Sequence, residues 1–464
     1  MHRIHDWTVD VVNLWGSTIV ERGAIFGYFT GLVTTDPRNI EYILKTNFSN
    51  FPKGDDFAET LDIFGDSLIM DSPSWNYHRR MTRRVLMSNI SRNIIANTSK
   101  KVVRDSLIPF LHDAVENSLV IDLQDVFLRY TFDTSFSVLF GRSANYLSPC
   151  LLPNELAEGL DDAMEALFYR NVMPNSYWKF CRRLIIGNER KMDKARKTID
   201  RYLTMYIKAK REDMSKGTSE TSSLFEGDMS NLIQNENDEV LIQDDKLFRD
   251  SAMSFFIGGN DTTGTALTWF FWLVAKNLNV DAKILEELQL IVFSKKLSQK
   301  TPLVFDIDDL KDAVYLHAAI CESLRLYPPI PHNRRTSLKK DVLPDGTVVD
   351  PGMMVVISMY AAGRMEHVWG KDFLEFKPER WINENGNLNH ETMSKFFGFS
   401  IGPRICLGQE MAFAMMKLAA SAMIFNFHVE ALVNQIITPK PSIVLKMKNG
   451  LMVRVKERVL VYNA

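Results

Sequence analysis

Between residues 245 and 277 the chain carries the stretch that most restricts its fold. It reads as one helix, and at a 1.5 Å rise per residue it would span roughly 50 Å. Around residues 269–274 it is apolar on nearly every side, so it should cross the middle of a large core rather than lie on a surface. A chain of 464 residues is long enough for that core, as one large or two ordinary domains. Hydrophobic residues make up 46% of it and charged residues 24%, the balance of a soluble globular protein.

The same predicted helix contains Gly258-Gly259-Asn260-Asp261-Thr262-Thr263-Gly264. Glycines inside a helix cost about 1 kcal/mol each relative to alanine, which invites a reason. A widened groove with an acid and an alcohol beside it could hold dioxygen and water. A kink with solvated polar residues is the plainer alternative.

Near the C-terminus, Phe399-Ser400-Ile401-Gly402-Pro403-Arg404-Ile405-Cys406-Leu407-Gly408 reads as a loop that presents one sulfur and then enters a helix over about 408–425. Gly402 can take a positive φ at no steric cost, and Gly408 lets a flat ligand lie close to the backbone. Turn amides and the helix dipole favour a thiolate at Cys406. Phe399 would screen that sulfur from water, and Arg404 can reach an anionic edge of the same ligand. A soft thiolate, a tight loop and a cation suggest a haem held by its iron. Cys406 taken alone is more often a buried structural cysteine.

Net charge is −2, so no global basic field argues for nucleic acid. The four cysteines, at 150, 181, 321 and 406, form no CxxC pattern, which fits a reducing compartment without structural disulfides. No apolar run approaches the 18 or so residues of a membrane span. The first residues read as neither signal peptide nor anchor.

Elsewhere, residues 23–34 suit a strand or hairpin and 37–46 a short helix. Trp75 and Arg79 open an amphipathic helix, one turn apart on one face. Helical periodicity runs over 102–214, including 122–140 and 156–168, and the polar stretch 218–239 reads as a mobile surface loop. Glu322 and Arg325 share a helix face that Pro328 soon ends, and Arg380 follows in Phe376-Lys377-Pro378-Glu379-Arg380-Trp381. Asp345-Gly346 and Asn449-Gly450 each predict a β-hairpin. The expected class is mainly α with a smaller β-rich region.

Taken in order over residues 75–408, these landmarks resemble the cytochrome P450 superfamily, and the cysteine loop looks like its haem-ligand loop. The resemblance implies a single domain of the cytochrome P450 fold over 1–464. It implies haem b with Cys406 as the axial thiolate, and Trp75, Arg79, Arg335 and Arg404 holding the propionates, with Arg334 adjacent to Arg335 as an alternative. Asp261 would relay protons and Thr262 support dioxygen. Glu322, Arg325 and Arg380 would form a buried structural network behind the haem. Electrons would come from NADPH through a cytochrome P450 reductase, on the cytosolic face of the endoplasmic reticulum membrane. The membrane anchor and hinge usual in relatives are absent from this sequence, and residues 22–34 look short for the usual strand pair.

Finer wording is similar to plant members that hydroxylate fatty acids and alkanes. It includes Ser49-Asn50-Phe51-Pro52-Lys53-Gly54, Asp122-Leu123-Gln124-Asp125, Asp341-Val342-Leu343-Pro344-Asp345-Gly346 and Gly363-Arg364-Met365. The expected activity is a monooxygenase inserting one atom of O2 into a long, small-molecule apolar substrate. Oxidative phenol coupling on an alkaloid precursor is the alternative, and the intact Gly259-Asn260-Asp261-Thr262 favours hydroxylation. Alternatives of another class are a reductase-independent haem-thiolate isomerase or dehydratase, and a non-catalytic haem binder.

Overall fold

Two helices, Leu123–Phe140 and Thr262–Lys276, pack side by side and are buried on almost every face. The computed structural model describes residues 3–22, 30–72, 75–216, 245–297 and 302–459. Asp122 caps the first helix by accepting from Gln124 N at 2.9 Å, so the helix begins one residue after the predicted start. The second belongs to the long apolar stretch. That stretch is helical from Asp245 to Lys276, but a wider π turn at Ile257–Asp261 separates its two α segments. Gly259 and Gly264 serve packing, whereas a Cβ on Gly258 would meet nothing within 4 Å. A Cβ on Gly259 would meet Ser135 Oγ at 2.8 Å, and one on Gly264 would meet Leu128 and Thr131 at 3.0 Å. Both opposing groups lie on the Leu123–Phe140 helix. Thr131 Oγ1 donates to Asn260 Oδ1 at 2.8 Å, which ties the π turn to the same neighbour.

The centre of the core is aromatic. Phe127 stacks on Phe271 with centroids 5.2 Å apart, and Trp269 stacks on Tyr327 at 3.9 Å. Trp269 also donates its Nε1 to Leu445 O at 2.6 Å, so its single polar atom is satisfied inside the core. Burying one such side chain stabilises the fold by about 1.5–3 kcal/mol. Val314–Leu326 and Gln409–Asn426 pack around this centre, while Glu155–Val172 and Asn188–Lys216 pack in a second cluster with Phe132, Phe136 and Phe256. Among the described residues, no helix is long and apolar enough to cross a membrane.

Among the described residues, the smaller β-rich region contains three sheets. Strands β1 (Thr18–Arg22), β2 (Thr30–Thr34), β4 (His332–Thr336) and β7 (Met354–Ser358) form one, in the order β1-β2-β7-β4. Its β1–β2 pair is in full five-residue register. The strand pair expected to be short is therefore complete, because β1 starts ahead of the predicted segment; residues 23–29 lie outside the described residues, as does 218–239. β3 (Val120–Asp122), β8 (Phe427–Ala431) and β9 (Met452–Glu457) form the second sheet, in the order β3-β9-β8.

β5 (Asp341–Val342) and β6 (Val348–Val349) close the hairpin predicted at Asp345-Gly346. Asn449-Gly450 does not make one. The pairing there runs between Pro439 and Met447, and the chain then turns at 449–450 onto Asp122, whose carboxylate accepts from Leu451 N at 2.8 Å. Asp122 thus holds a helix start and a strand start together.

Glu322, Arg325 and Arg380 meet in the interior. Arg325 grips the fully buried Glu322 carboxylate with Nε at 2.7 Å and Nη2 at 2.8 Å. Arg380 Nε donates to it at 3.2 Å, Trp381 Nε1 at 2.8 Å and Lys377 N at 3.1 Å. Arg325 also donates to the carbonyls of Phe373 and Glu375, so one ion pair joins the Val314–Leu326 helix to the chain 50 residues on. Removing one partner strands a buried guanidinium. Glu322→Ala is therefore expected to lose about 3–5 kcal/mol of stability, read as a lower urea midpoint; an unchanged midpoint would contradict this structural role.

Candidate functional site

The cysteine loop is fixed by its own backbone. Ser400 and Gly402 both take positive φ, 61° and 70°, Cys406 N donates to Phe399 O at 2.9 Å and Ile405 N to Gly402 O at 3.1 Å. A Cβ on Gly402 would collide with the carbonyl of Leu44, so both conformation and space demand glycine there. Phe399 packs against Phe413 with centroids 5.1 Å apart. The Gln409–Asn426 helix then starts, with Ala412 N bonded to Gly408 O at 2.8 Å.

Cys406 and Gly408 lie in the wall of a cavity of about 500 Å³, within the size range of small-molecule sites. A Cβ on Gly408 would meet only Cys406 Sγ, at 4.0 Å, so it would fill cavity space and nothing else. Burial pushes the Cys406 thiol up, while the Gly408 amide and Arg79 pull it down. The Gly408 amide favours the thiolate, as expected, but burial outweighs it. The deprotonated form needs a further cation at the sulfur.

The opposite wall includes Gly258, Gly259, Thr262 and Thr263 of the long helix. Thr262 Oγ1 donates to Gly258 O at 2.6 Å. Asp261 does not line the cavity. It is buried and ion-paired to Lys446 Nζ at 3.1 Å, and the same ammonium bonds Asp161 at 2.9 Å. Lys440 reaches Asp161 at 2.6 Å. Burial alone would raise Asp161; the Lys446 and Lys440 ammoniums outweigh it and bring its pKa to about 2.

At one end of the cavity four cations converge: Lys53, Arg79, Arg335 and Arg404. Arg335, on β4, is buried; Nη1 donates to Arg334 O at 3.2 Å and its Nε has no partner. Arg404 donates to the carbonyls of Ile69 and Met70 at 3.1 and 3.2 Å and pairs with Asp71, again with Nε unused. Arg79 donates to Ile405 O. Arg334 points to Asp56, 3.8 Å away, and is not in the cavity wall.

Burial and the Arg404 charge lower Arg335 to about 9 and Arg79 to about 10. Such mutual repulsion in a low-dielectric end is relieved by an anion. A thiol on one wall, room over Gly408 and a cationic end with unused buried donors fit a flat, dianionic, sulfur-ligated group. Haem has that form.

Trp75 differs from expectation. Its Nε1 donates to Leu68 O at 3.0 Å, so that donor is committed to the backbone. The ring instead lies under Arg404, whose Cζ is 4.2 Å from its centroid, with Arg79 at 5.7 Å. Trp75 holds the guanidiniums by their faces. Sequence reasoning missed Lys53 and Lys446. The first sits in Phe51-Pro52-Lys53-Gly54, a stretch already singled out for its wording; the second has no local signal.

Helices around a pocket that pairs a thiol with a cationic end describe an oxidoreductase of the haem-thiolate class. Residues 25–454 match the family model of Cytochrome P450, and the chain belongs to that family of monooxygenases. It is 38% identical to alkane hydroxylase MAH1 of Arabidopsis thaliana, over 98% of this chain and 90% of that one. It is 37% identical to cytochrome P450 86B1 of the same plant, over 98% and 82%. Noroxomaritidine synthase 2 of Narcissus pseudonarcissus is 36% identical over 98% and 88%.

Proposed function

We propose that this monooxygenase hydroxylates long apolar chains, fatty acids or alkanes, and that Cys406 would hold haem b by its iron. The observation that carries the reading is a single cavity shared by Cys406, the π turn and the cationic end. Haem, when bound, supplies the binding and reductive activation of O2 at its iron.

The chain's own residues do the rest. Arg79, Arg335 and Arg404 bind the two carboxylates by charge-assisted hydrogen bonds, and Trp75 positions Arg404. Thr262 holds its hydroxyl proton at the cavity wall. Asp261, one residue earlier, would pass protons toward that wall at its carboxylate Oδ2, which faces Lys446 Nζ at 3.1 Å, and the same ammonium reaches the partly exposed Asp161. Leu68, Ile69, Leu139, Phe255 and Ile330 line the cavity. They exclude water and favour a long apolar substrate. Electrons come from NADPH through a cytochrome P450 reductase, at the cytosolic face of the endoplasmic reticulum.

Oxidative phenol coupling is a second reading, favoured by the 36% identity to noroxomaritidine synthase 2. The Asp261–Thr262 pair supports hydroxylation, which needs proton delivery to the cavity. A panel of long-chain fatty acids, alkanes and phenolic amines, supplied with NADPH and reductase, separates the two. Turnover of the fatty acids or alkanes is expected to dominate, and preferential turnover of the phenolic amines would reverse the assignment.

Thr262→Ala is expected to keep haem and consume O2 while product falls by up to about a hundredfold, as when one positioned donor is lost. The readout is product and hydrogen peroxide formed per NADPH. Thr262→Ala/Thr263→Ala, measured alongside, tests whether the neighbouring hydroxyl substitutes. Full coupling in both variants would remove this helix from proton delivery.

A further inference from the structure

Of the four cations at this end of the cavity, Arg404 pairs with Asp71, whereas Lys53, like Arg79 and Arg335, has no carboxylate partner among the described residues. Its main chain is anchored on two sides. Lys53 N donates to Asp71 Oδ2 at 2.5 Å and Gly54 N to the same oxygen at 3.2 Å, while Thr336 N donates to Pro52 O at 2.8 Å. The side chain is therefore aimed from a fixed backbone.

Its Nζ donates to Asn333 Oδ1 at 3.0 Å and lies 4.4 Å from the Phe57 ring centroid. An ammonium has three donors, and Asn333 takes one. Asn333 and Arg335 are two apart on β4, so they share a face of that strand and both line the cavity. Asp71, the carboxylate nearest this group, is already engaged by Arg404 and by the Lys53 and Gly54 amides.

We propose that Lys53 is a carboxylate-binding residue of this pocket, gripping with Arg335 one carboxylate of the bound prosthetic group. The proposal rests on the haem-thiolate reading above. Burial and the Arg335 and Arg404 guanidiniums hold the Lys53 pKa well below its usual 10.5, so an anion arriving between them favours the ammonium. A carboxylate could come from the haem or from a fatty acid. The position of Lys53 beside Asn333 and within the Arg335–Arg404 group assigns it to the haem.

Lys53→Met keeps most of the apolar stem and removes the charge; Lys53→Arg restores charge, and Lys53→Gln is a polar, uncharged control of the same reach as methionine. Each full-length variant is loaded with haem or with haem dimethyl ester, and transfer to excess apomyoglobin is timed. Lys53→Met and Lys53→Gln are expected to lose haem roughly tenfold faster than wild type, the scale of one lost hydrogen bond to a charged group. Lys53→Arg should stay close to wild type, and all four proteins should release the ester at similar rates. Equal haem release from wild type, Lys53→Met and Lys53→Gln would overturn the proposal.

Spectral titration with a fatty acid and an alkane of equal length tests the other source. A loss of fatty-acid affinity alone in Lys53→Met would move Lys53 to the substrate and overturn the haem assignment. Failure of the wild type to bind haem with a thiolate spectrum would instead refute the underlying reading.

Discussion

A cysteine sulfur must be held bare at the wall of a cavity, and most of the structure around Cys406 follows from that constraint. The loop is bent through two positive-φ residues, one of them Gly402 against the Leu44 carbonyl. Phe399 and Phe413 cover its back, and Gly408 keeps the space in front of it free of side chains. Behind the loop, the Glu322–Arg325 pair and its partners fix the helix and the long connection that support it. Desolvation in the cavity wall raises the thiol instead of ionising it. The sulfur is shaped for a partner with positive charge, and the loop does not supply that charge itself.

The opposite imbalance stands at the cationic end. Lys53, Arg79, Arg335 and Arg404 are crowded into one end of the cavity, where burial and mutual repulsion disfavour their charged forms. Asp71 offsets part of this through Arg404, and the face of Trp75 offsets a little more. One flat ligand with a cationic centre and two carboxylates answers both imbalances at once. This electrostatic fit is stronger support for the haem reading than the shape of the cavity.

The sequence revealed those parts whose signal is local. Gly402, Cys406 and Gly408 lie within one short loop; the apolar stretch over 245–277 and the Glu322–Arg325 spacing belong to single helices. The gaps come from long-range contacts. Trp75 was expected to donate to a ligand, but its indole reaches the Leu68 carbonyl, a pairing no spacing rule contains. Asp261 was expected at the oxygen side, and its partner Lys446 comes from the chain near the C-terminus, 185 residues away in sequence. Asn449-Gly450 looked like a hairpin turn because its function, meeting Asp122, depends on a residue more than 300 positions earlier. The π turn at Ile257–Asp261 was foreshadowed only by its glycines, of which Gly259 proved to be a seat for Ser135, as Gly264 just beyond it is for Thr131.

The central claim is that Cys406 ligates the haem iron through a thiolate. The most direct measurement is the carbon monoxide difference spectrum of the reduced, haem-loaded protein, taken for wild type and Cys406→Ser. A hydroxyl is a poor donor to iron, so the account predicts a thiolate-type band in wild type and its loss in the variant. A thiolate-type band that persists in Cys406→Ser would contradict it.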